Sequence, residues 1–116
     1  MGKTFGAVLK DLRRNSNVSQ RALAEAIGVD FSYISKLEND RMPPPAADTI
    51  VRICACLRVP SGGLLTLSKK LPTDIHETVV GSVSALDFLR KAREMNLTES
   101  EWGLLQQGLK RLRRKR

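Results

Sequence analysis

Apolar positions recur at intervals of three and four along nearly the whole chain, the spacing that gathers them on one face of a helix. Phe5, Val8, Leu9 and Leu12 define a first helix after a Thr4 cap, and Asn15-Ser16-Asn17 ends it. Ser19 caps a second short helix with Ala22, Leu23, Ala26 and Ile27 inward. Gly28 stops it, because glycine takes the left-handed turn at least cost. Asp30 caps a third helix over 31–38, with Ile34 and Leu37 inward. Arg41-Met42-Pro43-Pro44-Pro45 is a stiff connector, since proline fixes φ and disfavours helix in the residue before it. A fourth helix runs from about Ala47 to Leu57 on Ile50, Ile53, Cys54 and Leu57. Ser61 caps a fifth carrying Leu64 and Leu65, with Leu67 at its margin.

These five helices predict a small bundle over residues 1–71, and Pro72 marks the start of a second region, 72–116. There a short helix around Asp74–Val80 is broken by Gly81, and a longer one runs from about Ser84 to Met95 with Leu86 and Leu89 inward. Thr98-Glu99-Ser100-Glu101 is a capping box that opens a last helix. Trp102, Leu105, Leu109 and Leu112 form a stripe along it that needs a partner surface. Strand signals are nearly absent and no repeat is seen, so the expected fold class is all-α.

Composition agrees. Apolar residues make up 41%, but the aromatic ones are one Trp, one Tyr and three Phe, so aliphatic side chains do most of the packing. No run of 18 apolar residues exists, which argues against a membrane span, and Met1-Gly2-Lys3-Thr4-Phe5 lacks an apolar signal core. A cytoplasmic location is expected. The net charge of +8 is unevenly spread. Residues 1–70 are moderately basic, 71–109 are acidic, and Lys110-Arg111-Leu112-Arg113-Arg114-Lys115-Arg116 is a cationic cluster. Such a balance supports a nucleic-acid partner without proving one.

Little else in the chain carries chemistry. Cys54 and Cys56 point about 200° apart on a helix, so they cannot easily share a metal or form a bridge. Buried reduced thiols are the expected reading, with no metal and no cofactor. His76 has no evident nucleophile partner, and no phosphate loop or zinc-protease motif appears. The chain is therefore read as a non-enzyme with no catalytic residue. RNA is disfavoured by the lack of an aromatic stacking platform.

The informative stretch is Val18 to Asn39. Two short helices joined by a tight Gly28 turn must cross steeply, and Ala24 is small where they approach. Ile34 and Leu37 anchor the second of these helices, leaving Phe31, Ser32, Ser35 and Lys36 facing out. An exposed helix end of that size fits the major groove of B-DNA, about 12 Å wide. The order Ser19-Gln20, Leu23-Ala24, Gly28-Val29, Ile34-Ser35, Leu37-Glu38-Asn39 resembles the Cro/phage-repressor, or XRE-type, helix-turn-helix family. The resemblance runs from about Phe5 to Leu71 and continues through Asp48-Thr49-Ile50-Val51-Arg52-Ile53-Cys54.

The resemblance implies a five-helix repressor-like DNA-binding bundle followed by a small helical dimerisation region, in a bacterial or phage-encoded protein that acts on double-stranded DNA. Gln20 would bond a phosphate and brace the recognition helix, while Phe31 and Ser32 sit where the family reads base edges. Ser35 and Lys36 lie one turn further along the groove, and Asn39 and Arg41 would hold the opposite backbone. Arg21 and Tyr33 complete the DNA-facing set, and Arg13 with Glu38 occupies the place of an ion pair joining the first and third helices. Phe31 departs from the usual polar reader, so it either packs on a thymine methyl or belongs to the core. The three prolines lengthen the connector and put the Arg41 contact in doubt.

One such domain reads few base pairs, and two on a dimer would place recognition helices one DNA turn apart, ~34–36 Å. Leu86, Leu89, Trp102, Leu105, Leu109 and Leu112 are the expected homodimer surface, the alternative being that their helices cap their own domain. The cationic tail is a helix-dipole complement, a phosphate contact or a solvated end. The expected function is a dimeric repressor or autorepressor of a near-palindromic operator. An antitoxin that masks a toxin with its C-terminal region is the competing reading. A regulatory protease that relieves repression is a further candidate partner.

Overall fold

Hydroxyl side chains set the starts of the best-defined helices. Thr4, Ser19, Ser82 and Thr98 take extended backbone, and each accepts a hydrogen bond from the amide three residues on. The computed structural model describes residues 2–114. Among them are α1 (Phe5–Asn15), α2 (Gln20–Ile27), α3 (Phe31–Glu38), α4 (Ala47–Leu57), α5 (Gly62–Ser68), α6 (Thr73–Val80), α7 (Val83–Met95) and α8 (Glu99–Arg111), with no strand. Two expected caps behave differently. The Asp30 carboxylate accepts from the Ser32 hydroxyl at 2.6 Å and makes no bond to an α3 amide. Ser61 holds helical backbone and makes no cap bond. Helix α7 starts at Val83 because Ser82, rather than Ser84, supplies the capping hydroxyl.

Two compact units divide the chain, Met1–His76 and Glu77–Arg116, so the division falls inside α6, a few residues beyond Pro72. In the first unit every one of α1 to α5 contributes to the core. Leu9, Leu23, Ile34, Leu37, Ile50, Ile53 and Leu64 are all essentially sealed from solvent. Helix α2 packs on α3 and α4, α1 packs on α3 and α5, and α4 packs on α5. Ala22 and Ala26, expected inward, are exposed, and Ala24 lies in the core instead. At ~100° per residue the arc through Leu23, Ile27 and Ala24 is narrow and leaves both flanking alanines outside it.

Polar contacts then fix the connections. Gly28 ends α2 at φ 73, while Arg58 and Lys69 end α4 and α5 in the same left-handed region without help from glycine. Arg52 Nη2 donates to the Ile27 carbonyl at 2.7 Å, tying α4 to the end of α2. The proline connector is held by Lys70, whose Nζ donates to the carbonyls of Pro44 and Pro45 at 2.9 and 3.0 Å. Asp48 accepts from the Thr73 amide and hydroxyl at 3.0 and 2.7 Å, contacts that hold its carboxyl below the ordinary range.

In the second unit, α7 ends on left-handed Asn96 and α8 begins in the complete Thr98–Glu101 capping box. Ala92 is the single buried residue among the described residues of this unit. Leu86 and Leu89, expected inward, are 40% and 38% exposed, so the packing within this chain does not cover them.

A tight backbone approach in the first unit joins the start of α1 to the end of α3. Asp40, itself left-handed at φ 56, accepts from the Thr4 hydroxyl at 2.6 Å and from the Gly6 amide at 2.9 Å. A Cβ on Gly6 would lie under 3.0 Å from the Leu37 and Glu38 carbonyl oxygens and from the Asp40 carboxylate. Two of those atoms are backbone and cannot step aside. Gly6→Ala is therefore expected to lower stability by ~1–3 kcal/mol, the usual cost of overpacking. Urea unfolding checks this, and an unchanged midpoint would show that the α1–α3 contact is loose.

Candidate nucleic-acid interface

The geometry of the α2–α3 pair rests on one charged contact inside the bundle. Glu38 ends α3 with its side chain 1% exposed, and Arg13 reaches it from α1 with a side chain 10% exposed. Arg13 Nε donates to one carboxylate oxygen at 2.5 Å and Nη2 to the other at 2.9 Å, a two-pronged fit of guanidinium to carboxylate. Arg13 Nη1 donates to the Val18 carbonyl at 3.0 Å, which fastens the turn before α2. Gln20, the first residue of α2, donates to Glu38 Oε1 at 2.9 Å. Three helices thus meet on one carboxylate. Burial pushes the Glu38 carboxyl upward, but the hydrogen bonds from Arg13 and Gln20 and the Arg13 charge outweigh it and hold the group below the ordinary range. The same hydrogen bond raises the Arg13 guanidinium further.

Around that anchor, α3 turns its other side outward. Phe31 is 38% exposed and lies outside the core cluster, and Ser32 and Lys36 are exposed. Ser35 and Tyr33 are half-buried, and the Tyr33 ring packs against the core. Beyond the helix, Asn39 and Arg41 are exposed. Asn39 Nδ2 donates back to the Ser35 carbonyl at 3.0 Å, and the Arg41 amide donates to the Lys36 carbonyl at 2.9 Å. Gln20 is half-buried with its amide turned to Glu38. Arg21 beside it is exposed and lays its guanidinium over the Phe31 ring, 4.6 Å from the ring centre.

A hollow of about 460 Å³ opens between the start of α2 and α1. Lys10 and Arg14 from α1 line it together with Ser19, Gln20, Arg21 and Phe31. Lys10 and Arg14 were not among the residues expected in the DNA-facing set. Their signal was available, because Lys10, Arg13 and Arg14 stand at i, i+3 and i+4 and so share a face of the first helix. Asp40, which sets the α1–α3 contact, was likewise not expected, and nothing in a local pattern points to a partner so far away in sequence.

The residues expected at a dimer surface all lie in the second unit. Trp102 and Leu105 are 37% and 39% exposed, and Leu109 and Leu112 are 68% and 75% exposed. Phe88, Ala92, Met95, Leu97, Leu104 and Leu105 line an apolar hollow of about 460 Å³ between α7 and α8. Lys110 and Arg111 stand in the last turn of α8, where cations suit the helix dipole, while Lys115 and Arg116 lie outside the described residues. Among the described residues, no group of three His, Cys, Asp or Glu could hold a metal ion, and no helix is long and apolar enough to cross a membrane.

Residues 4–66 match the helix-turn-helix domain family. The chain is 31% identical over 91 residues to the uncharacterized HTH-type transcriptional regulator RghRB of Bacillus subtilis (strain 168), covering 76% of this chain and 66% of that protein. It is 27% identical over 95 residues to the HTH-type transcriptional repressor RghR of the same organism, covering 82% of this chain and 70% of that protein. The chain thus spans about two thirds of the length of these curated relatives. Among solved structures it is similar to the master regulator for biofilm formation SinR in complex with DNA. That match has 31% identity and a TM-score of 0.50 and covers 53% of this chain and 98% of that one.

The depressed Glu38 carboxyl has a consequence with a definite sign. Its contribution to stability is fully present above the ordinary carboxylate range and is lost as pH falls through the lowered value. Wild-type stability is expected to drop on acidification, with Asp11 and Asp48 adding to the slope because Lys3 and Thr73 hold their carboxyls low too. Glu38→Gln is expected to cost ~3–5 kcal/mol near neutral pH by leaving Arg13 without its partner. It should also flatten the acid limb. Urea unfolding from neutral to acid pH reads both effects, and equal acid slopes in the two proteins would contradict this assignment.

Proposed function

We propose that this chain, which belongs to the XRE-type helix-turn-helix family of transcriptional regulators, is a dimeric repressor of a near-palindromic DNA operator. The observation that carries this reading is the division of α3 into two sides. Ile34, Leu37 and Glu38 are sealed against α1 and α2, while Phe31, Ser32 and Lys36 stand clear of the bundle. A helix presented on a rigid base can enter the major groove with its first turns against base edges. Half-buried Lys10 and exposed Arg14, Arg21 and Arg41 flank it, on the sides where the two phosphate backbones would run. That RghR is named a repressor and that SinR was solved with DNA support the same reading.

In this reading Ser32, Ser35 and Lys36 face bases, and Asn39 and Arg41 hold a phosphate backbone beyond the helix. Gln20 acts first as a brace, since its amide nitrogen is already engaged with Glu38 and its oxygen is left to accept from a neighbour. Tyr33 contributes through its packing more than through its rim, being half-buried on the core. Dimerisation falls to α7 and α8, whose exposed Leu86, Leu89, Trp102, Leu105, Leu109 and Leu112 supply apolar surface that a second copy would cover. Two copies give the two-fold symmetry that a palindrome mirrors.

Selection of bound sequences from a random double-stranded library, at one stated salt concentration, tests the reading. A two-fold symmetric site with half-sites ~34–36 Å apart is expected. No enriched site, with binding that fades uniformly as salt rises, would contradict it and leave only non-specific contacts. On the selected site Lys36→Ala is expected to weaken binding by ~1–3 kcal/mol and to relax sequence preference at one position. Leu109→Glu with Leu112→Glu, at two well-exposed positions, should keep the helix content by circular dichroism. Sedimentation should then show monomers, and persistence of the dimer would rule out α8 as its surface.

A further inference from the structure

An aromatic ring in the wall of a cationic hollow calls for a chemical reason. Phe31 opens α3, yet it fills no gap in the core, and 38% of its surface is open to solvent. Its neighbours in the hollow are Lys10, Arg14, Ser19, Gln20 and Arg21, all polar or charged. A phenyl ring offers them no hydrogen bond, and it can neither donate to nor accept from a base. The major groove contains one apolar feature that a ring at this position can meet, the methyl group on C5 of a pyrimidine.

The ring is also held. The Arg21 guanidinium carbon stands 4.6 Å from its centre, within the range of a cation–π contact. A planar guanidinium stacked on a ring restricts the ring's rotation and keeps the cation's in-plane N–H donors free for a neighbouring acceptor. Arg21 and Phe31 therefore come to the groove as one preassembled unit, contributed by two different helices. The sequential separation of the two residues hides this pairing, which the packing of α2 on α3 creates.

We propose that Phe31 is a specificity-determining residue that reads a pyrimidine C5-methyl in each half-site, with Arg21 as its positioning residue. This rests on the DNA-binding reading above. The methyl has two natural sources, thymine and 5-methylcytosine, and both present the same group at the same place in the groove. If 5-methylcytosine is accepted, binding responds to DNA methylation at that position.

The test uses the full chain and the selected operator, with affinities measured by fluorescence anisotropy at fixed salt. Each thymine is replaced in turn by deoxyuridine, which removes the methyl and nothing else. One replacement per half-site is expected to weaken wild-type binding ~3–5-fold, the size expected for one buried methyl group. In Phe31→Ala, whose site is exposed and outside the core, the same replacement should change nothing. Arg21→Lys keeps the charge but not the stacking plane, so the thymine-over-uracil ratio should shrink. An unchanged ratio with both operators equally weakened would mean that Arg21 only contacts phosphate and would overturn its positioning role. Placing 5-methylcytosine or cytosine at the sensitive position separates the two sources. A gain from the methyl shows that both pyrimidines are read, and no gain confines the reading to thymine. An enriched operator with no uracil-sensitive position, or a sensitivity that survives in Phe31→Ala, overturns the proposal while leaving DNA binding intact. Absence of any enriched operator would overturn both.

Discussion

A buried carboxylate is tolerable only when its charge is matched and both its oxygens are engaged, and Glu38 meets that condition through two helices at once. Arg13 brings the opposite charge in a two-pronged contact from α1, and Gln20 adds a third donor from α2. Removing either member of the ion pair would leave an uncompensated charge in the interior, which costs several-fold more than an exposed pair is worth, on the order of 3–5 kcal/mol against ~0–1. The ion pair accepts one geometry. Its physical effect is thus to set the angle at which α3 is held, more than to add to the depth of the core.

The remaining contacts propagate that angle outward. Asp40 closes on Thr4 and Gly6 just past the end of α3, so both the last turn of α3 and the first turn of α1 are fixed from the same side. Arg13 also reaches the Val18 carbonyl, which places Ser19 and the start of α2. Arg52 then secures the end of α2 at Ile27. With the start of α1, both ends of α2 and the end of α3 restrained, the exposed residues of α3 and the stacked Arg21–Phe31 pair are presented by a rigid support. The second unit is built on another principle. Among its described residues Ala92 alone is buried, and its apolar surface is laid out along α7 and α8.

The order and type of the elements were legible because each rests on a local signal. Hydroxyl caps, apolar spacing and Gly28 mark α1 to α3, and the Thr98–Glu101 box marks α8. The motif from Ser19 to Asn39 was legible for the same reason. What escaped the sequence depends on distance or on competition between equals. Asp40 serves α1 from 34 residues away. Asp30 could bond either a backbone amide or the Ser32 hydroxyl, and its carboxylate takes the latter. Arg58 and Lys69 end helices where glycine is the usual marker, so no residue announced those turns. Alanine is apolar enough to suit either side of α2, and only the crossing with its neighbours decides that Ala24 is inside and Ala22 and Ala26 are outside.

The central claim is that the outward side of α3, held by the Glu38 contacts, is the surface that meets DNA. Titration of the isotope-labelled chain with its operator, followed through backbone amide resonances, tests this directly. The account predicts that the largest changes fall on Gln20, Arg21, residues 31–36, Asn39 and Arg41, with smaller ones at Lys10 and Arg14. Changes confined to α7, α8 and the cationic end of the chain, with α3 unmoved, would contradict it.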